Sequence, residues 1–230
     1  FNVISIPDAA PSVSISAKLE SKADGEMSQA FYARDDHAIV AGTGAVALDL
    51  PAMQRQYGLA MEPEPRDPIA VDLPMPITGD RAGFEERLIE NFSEHPFANL
   101  PVVLELTVED DMGQTGKSSE IQMVLPGRRF FDPMAASLIE MRRDILWNRE
   151  NAPRVAQILR AVSYRPQDVF HTDTDYLRLR FILRRLETFT SYGMSDAQQD
   201  ELSQALWDFA VRLEDGDVAG ALARMQQAQE

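Results

Sequence analysis

The sequence predicts an α+β chain: an immunoglobulin- or fibronectin-like antiparallel β-sandwich followed by an all-α helical region. Three observations carry that expectation. Val102, Leu104, Leu106 and Val108 alternate with Val103, Glu105, Thr107 and Glu109, the period of a strand with one buried face. Ile121, Met123 and Leu125 resume the alternation beyond Asp110-Asp111-Met112-Gly113-Gln114-Thr115-Gly116. In that turn the glycines can take positive φ and the Asp side chains can bond their own backbone. After Arg128-Arg129 the apolar period lengthens to that of a helix. The expected domains are therefore a sandwich over 1–129 and a helical domain over 130–230.

Taken in order, Phe1–Ile6 reads as a short strand, broken by Pro7 and Pro11. Ser12–Leu19 alternates with Val13, Ile15, Ala17 and Leu19 on one face. Ala30–Ala33 leads into Arg34-Asp35-Asp36-His37, and Ile39–Leu50 reads as a strand bulged at Gly42 and Gly44. Prolines at 51, 63, 65 and 68 predict a long loop of the β half. Ile69, Val71 and Leu73 give a short strand. Phe84, Leu88 and Phe92 fit helical spacing, but a sandwich of about seven strands needs a strand there.

Five helices are expected beyond Arg129. Asp132-Pro133 caps the first, which ends near Asn148. Asn151 and Pro153 open the second, stopped by Pro166. The third runs from about Asp175 to Ser191 and ends at Gly193. Ser195 to Gln198 forms a capping box for the fourth. Glu214-Asp215-Gly216-Asp217 reads as its stop and as the cap of a fifth helix, Val218–Glu230. That last helix carries no stop signal and reads as truncated, with Leu222 and Met225 set to pack near Leu213 and to present an interaction stripe. Trp147 and Trp207 sit where core anchors belong.

Formal net charge is −15 over 230 residues. A duplex-binding protein needs a basic footprint, so nucleic acid is excluded as a partner, and docking on anionic lipid is disfavoured. Residues 1–129 hold 10 basic against 21 acidic side chains, and 130–230 hold 12 against 16. The Arg pairs of the second part read as solvated faces and interhelical ion pairs. No cysteine is present, which excludes disulfides, thiolate metal sites and cysteine nucleophiles. No run is long and apolar enough to span a bilayer. Phe in place of Met at position 1 suggests a piece of a longer chain, with any anchor outside it.

Few motifs carry chemistry. Asp35-Asp36 and Asp110-Asp111 each follow a strand, and loops at one end of a sandwich can hold Ca²⁺ through such carboxylates. The competing reading ties these Asp residues to their own turns. His37, His95 and His171 stand at no paired ligand spacing, so no histidine metal site is expected. Neither a phosphate loop nor a GxSxG elbow occurs. The residues thus predict no enzyme and no cofactor.

The succession ARDDHAI, HPFANLPVVLELTVEDDMGQTG, RRFFDPMAASLIEMRRDILWNRENAPRVAQILRAV and LWDFAVRLEDGD resembles a large bacterial family. Its members are conserved hypothetical membrane proteins with a domain of unknown function, and the likeness covers nearly the whole chain. Phe97 departs from the family's pattern, which has Trp in HPWAGLP; packing should survive that change. The resemblance implies an extracytoplasmic piece of an envelope protein, on the periplasmic side of the bacterial inner membrane, anchored by segments outside this chain. It supplies no catalytic residues. The expected role is a non-catalytic interaction or structural module. Its partner would be another protein or a second copy, engaged through the helical region; a calcium-binding sandwich using Asp35, Asp36, Asp110 and Asp111 is the alternative.

Overall fold

The computed structural model describes the backbone of residues 8–79, 81–170 and 172–227, and the side chains of all of these except 168 and 217–227. The chain is α+β, with two antiparallel sheets and, among the described residues, four α-helices. It divides into two compact units. One gathers the chain up to Met53 with Arg66–Arg128; the other gathers Gln54–Pro65 with the chain from Arg129 onward.

In the first unit, one sheet holds β1 (Ser12–Ile15), β2 (Glu20–Ser21), β3 (Glu26–Arg34) and β6 (Gly83–Asn91). The order is β1-β3-β2, with β6 also paired to β3. The other sheet holds β4 (Ile39–Leu48), β5 (Ile69–Asp72), β7 (Pro101–Asp110), β8 (Thr115–Lys117) and β9 (Ile121–Val124). There β4 lies between β5 and β7, and both β8 and β9 pair with β7. One apolar cluster draws on both sheets: Met27, Phe31, Phe84 and Leu88 from the first, Ile39, Val46, Leu104 and Leu106 from the second. Val102, Leu104, Leu106 and Val108 are all fully buried, as their alternation predicts.

Several expectations change in detail. The segment around Phe84 is the strand that the sandwich reading calls for, paired with β3 from Glu26↔Asn91 to Arg34↔Gly83. Positions i and i+4 share a face in a strand as well as a helix, so Phe84 and Leu88 could not decide between the two. The irregularity in β4 falls between Ile39 and Ala41, and pairing runs unbroken through Gly42 and Gly44. Those glycines instead admit close neighbours: a Cβ at 42 would stand 2.8 Å from Met75 Cε, and one at 44 would stand 3.0 Å from Val71 Cγ2. The hairpin turn needs positive φ at Gly113 only. Gly116 lies in β8, where a Cβ would meet Pro11 O. The last strand is split, because Ser118 Oγ accepts from Leu106 N where a backbone carbonyl would otherwise serve. The strand expected at Phe1–Ile6 lies outside the described residues.

The second unit packs α1 (Pro133–Trp147), α2 (Ala152–Val162), α3 (Asp173–Tyr192) and α4 (Asp196–Gln227) around one cluster. Leu138 and Ile145 of α1, Val155 and Leu159 of α2, Leu179 and Leu186 of α3, and Leu206 and Phe209 of α4 are its centre. Asp132 accepts from Ala135 N at 2.6 Å and caps α1, worth about 1 kcal/mol. Ser195 and Gln198 close their capping box, with Ser195 N donating to Gln198 Oε1 at 3.0 Å and Gln198 N to Ser195 Oγ at 3.4 Å. Trp147 and Trp207 are both buried.

Five helices become four, because α4 runs straight through Gly216. A helix-interior glycine costs only about 1 kcal/mol, too little to stop a helix held by tertiary contacts. Glu214, read as part of the stop, points elsewhere: its Oε2 accepts from Phe131 N and Asp132 N, both at 2.8 Å.

The proline-rich segment is the larger surprise. It is not a loose loop of the β half. Leu50–Ala52 and Tyr57–Ala60 form short 3-10 turns, and Gln54–Pro65 belongs to the helical unit.

Candidate functional site

Two clusters of carboxylates and one helix face stand out. The first cluster gathers at one end of the β unit. Asp35 follows β3, and its Oδ2 accepts from His37 N at 3.0 Å. Asp110 ends β7 opposite Ile39, and its Oδ1 accepts from Met112 N at 2.9 Å and Gln114 N at 2.7 Å. Those are the turn bonds expected of an Asp at such a position. Gln114 Nε2 reaches on to Asp8 Oδ2 at 2.6 Å. Asp8 Oδ1 lies 3.3 Å from His37 Nε2.

The structure therefore brings Asp8, Asp36 and His37 together, with a ligand atom from each within 4.8 Å of the others. Of the four calcium candidates, Asp36 joins this group. Asp35 and Asp110 hold their turns while each keeps one hidden oxygen unbonded among the described residues, and Asp111 is exposed in the hairpin turn. Sequence spacing missed Asp8 and His37, which lie far apart along the chain. The antiparallel pairing of β1 with β3, which sets Ser12 opposite Arg34, carries the chain before β1 past the chain after β3 and brings them side by side.

The second cluster fixes the strap, Gln54–Pro65, to the corner between α1 and α2. Glu64 N donates to Trp147 O at 2.8 Å, Trp147 Nε1 to Met61 O at 2.8 Å, and Asn148 Nδ2 to Glu62 O at 3.0 Å. Buried Asn151 donates to both Gly58 O and Asp144 O at 2.8 Å. A Cβ at Gly58 would stand 2.0 Å from Asp144 Cγ, so only glycine fits there.

Glu64 is the hub. Its Oε1 accepts from Arg149 N and Nε at 2.8 Å each, and its Oε2 from Arg149 Nη2 and Gln199 Nε2 at 3.0 Å each. Burial alone would push this carboxyl up; the Arg149 bonds, with help from Gln199, override it and hold the group at about 2. Arg149 is correspondingly pushed up by its bonds to Glu64 and Asp196. Asp144, 1% exposed at its side chain, is matched by Arg143 at 3.1 Å and Arg154 at 2.5 Å. Both oxygens of Glu64 and both of Asp144 are thus met by side-chain donors, as fits a structural fastening.

The third feature is the outer face of α3. Leu177 and Phe181 are 63% and 61% exposed, one helical turn apart. They border a cleft of about 440 Å³ between α3 and α4 that is also lined by Ile182, Ala205 and Phe209. Arg180 and Arg184 line a second cleft of about 530 Å³ on the α2 side, with Arg160 and Leu183. Other arginines of the unit are matched: Arg160 with Glu187, Arg185 with Glu201 and Arg212 with Asp175. Arg178, Arg180 and Arg184 make no ion pair among the described residues. Leu222 and Met225 fall in the distal part of α4, whose side chains lie outside the described residues.

No helix among the described residues is long and apolar enough to cross a membrane. No curated protein and no solved structure matches this sequence. A family model described as a domain of unknown function, DUF4175, matches residues 1–230, and the chain belongs to that family.

Proposed function

We propose that this chain is a non-catalytic interaction module of a membrane-anchored bacterial envelope protein, working on the periplasmic side of the inner membrane. The observation that carries the reading is the α3 face, where exposed Leu177 and Phe181 are flanked by Arg178, Arg180 and Arg184, which have no carboxylate partner among the described residues. An apolar stripe edged by unmatched arginines is complementary to an amphipathic protein segment edged by Asp and Glu. The chain's net charge of −15 disfavours an anionic lipid surface as the partner. The β unit is read as a sandwich of the fibronectin type. Its strand order supports this, with β1, β3 and β6 in one sheet and β5, β4, β7 and the split last strand in the other.

The test is site-directed photo-crosslinking from position 181 in the full-length protein in intact cells. One protein should be captured from 181 and lost when Leu177→Ser or Arg180→Glu is added, with helicity of the purified chain unchanged. Crosslinks to lipid alone, or a protein adduct indifferent to both substitutions, would overturn the reading. Fractionation that left the full-length protein outside the envelope would overturn its address.

A further inference from the structure

We infer that the end of the β unit formed by Asp8, Asp36 and His37 binds a divalent transition-metal ion, of which Zn²⁺ is the representative. The inference goes beyond the interaction reading and rests on different residues. Three ligand atoms, two of carboxylate and one of imidazole, already lie within 4.8 Å of one another. Ligands on tetrahedral metal bonds near 2 Å stand about 3.3 Å apart, so a closing movement of the exposed side chains brings these atoms to ligand spacing.

A cluster of acids alone would prove little, since exposed acidic groups commonly lie close together with no ion between them. The second observation concerns their neighbours. Asp35 is 7% exposed and Asp110 1% exposed, yet Asp35 Oδ1 and Asp110 Oδ2 are hidden from solvent with no hydrogen-bond partner among the described residues. Asp8 Oδ1 is in the same condition, near His37 Nε2 but not aligned for a bond. Five buried side-chain atoms lack partners among the described residues, and these three carboxylate oxygens are all the acceptors among them; the other two are arginine nitrogens.

Burying an unpaired carboxylate oxygen is unfavourable by several kcal/mol unless a counter-charge is present. No Lys or Arg pairs with Asp8, Asp35, Asp36 or Asp110 among the described residues. The bonds these groups do make run within the cluster, through His37 N and Gln114. They order the site without neutralising it. A cation supplies the missing charge, with Asp8, Asp36 and His37 as its ligands and Asp35 and Asp110 adding to the field that attracts it.

The donor set selects the ion. Calcium takes oxygen ligands, whereas an imidazole beside two carboxylates suits zinc and its first-row neighbours. This shifts the ion expected at the end of the sandwich away from calcium, and it moves the ligands away from Asp111.

Isothermal titration of Zn²⁺ into the EDTA-stripped 230-residue chain tests the inference, with Ca²⁺ titrated separately. Zn²⁺ should bind saturably, and His37→Ala and Asp36→Ala should each weaken it by about tenfold or more. His95→Ala and Asp111→Ala should leave it unchanged. Asp36 and His37 are exposed, so their substitution leaves the core intact; circular dichroism checks this. In nitrogen-15 spectra the His37 ring signals should shift on adding Zn²⁺. Absence of saturable Zn²⁺ binding would overturn the proposal. So would binding that His37→Ala leaves untouched, or Ca²⁺ binding in place of Zn²⁺.

Discussion

The strap corner and the end of the β unit both bury carboxylates, and they treat them in opposite ways. At the corner, Glu64 receives four hydrogen bonds and Asp144 faces two guanidinium groups. At the β end, Asp35 and Asp110 are also hidden, but each keeps one oxygen with no bonding partner among the described residues. An acid whose charge is met inside the fold serves as a fastener. An acid whose charge is not met is, on the inference drawn above, a place for a cation. Burial alone does not distinguish the two roles; the inventory of partners does.

The strap side can be broken hardest at Gly58. Gly58→Ala places a methyl against the Asp144 carboxyl and should destabilise the helical unit by about 3–4 kcal/mol. Thermal unfolding followed by circular dichroism reads this directly, and a melting temperature like that of the parent would show that the strap does not pack as described.

Next in size is Glu64→Gln. The folded carboxyl lies at about 2, down from an ordinary 4.5, so its contribution is fully present above about 4.5. It is lost as pH falls from there toward 2. The depression corresponds to about 3 kcal/mol at neutral pH. Glu64→Gln should remove about 2–3 kcal/mol at pH 7, and the gap from the parent should close on approaching pH 2. A constant gap across that range would mean that the charge is not the fastener.

The smallest effect sharpens the account of α4. Gly216 has open space at its Cβ position and no positive φ. Gly216→Ala should therefore stabilise the helical unit by about 0.5–1 kcal/mol, as in any continuous helix. Destabilisation by that substitution would restore a helix break at this point.

Much of the fold was legible because local chemistry and tertiary structure agree. The alternation at Val102–Val108 and the caps at Asp132 and Ser195 are enforced within a few residues, so spacing reveals them. The strap was misread because its four prolines correctly forbid regular structure but say nothing about where an irregular segment docks. Trp147, Asn151 and Arg149 decide that, and they follow it by more than 80 residues. Asp36 was visible as a candidate ligand since it stands in an acidic turn. Asp8 and His37 were not, since their meeting depends on strand order. Asp110 looked alike in both readings, because a turn-holding oxygen and an unpartnered one sit on the same side chain.

The contrast between the two clusters is tested most directly by two isosteric changes made side by side in metal-free buffer at pH 7. Asn at 110 can keep the turn bonds through its carbonyl while removing an uncompensated charge, and Gln at 64 removes a compensated one. The account predicts opposite signs in calorimetric unfolding: Asp110→Asn should stabilise the protein by about 0.5–1 kcal/mol, relieving like-charge repulsion, while Glu64→Gln destabilises it. Destabilisation by Asp110→Asn comparable to that of Glu64→Gln would contradict the account, because it would make Asp110 a fastener like the other.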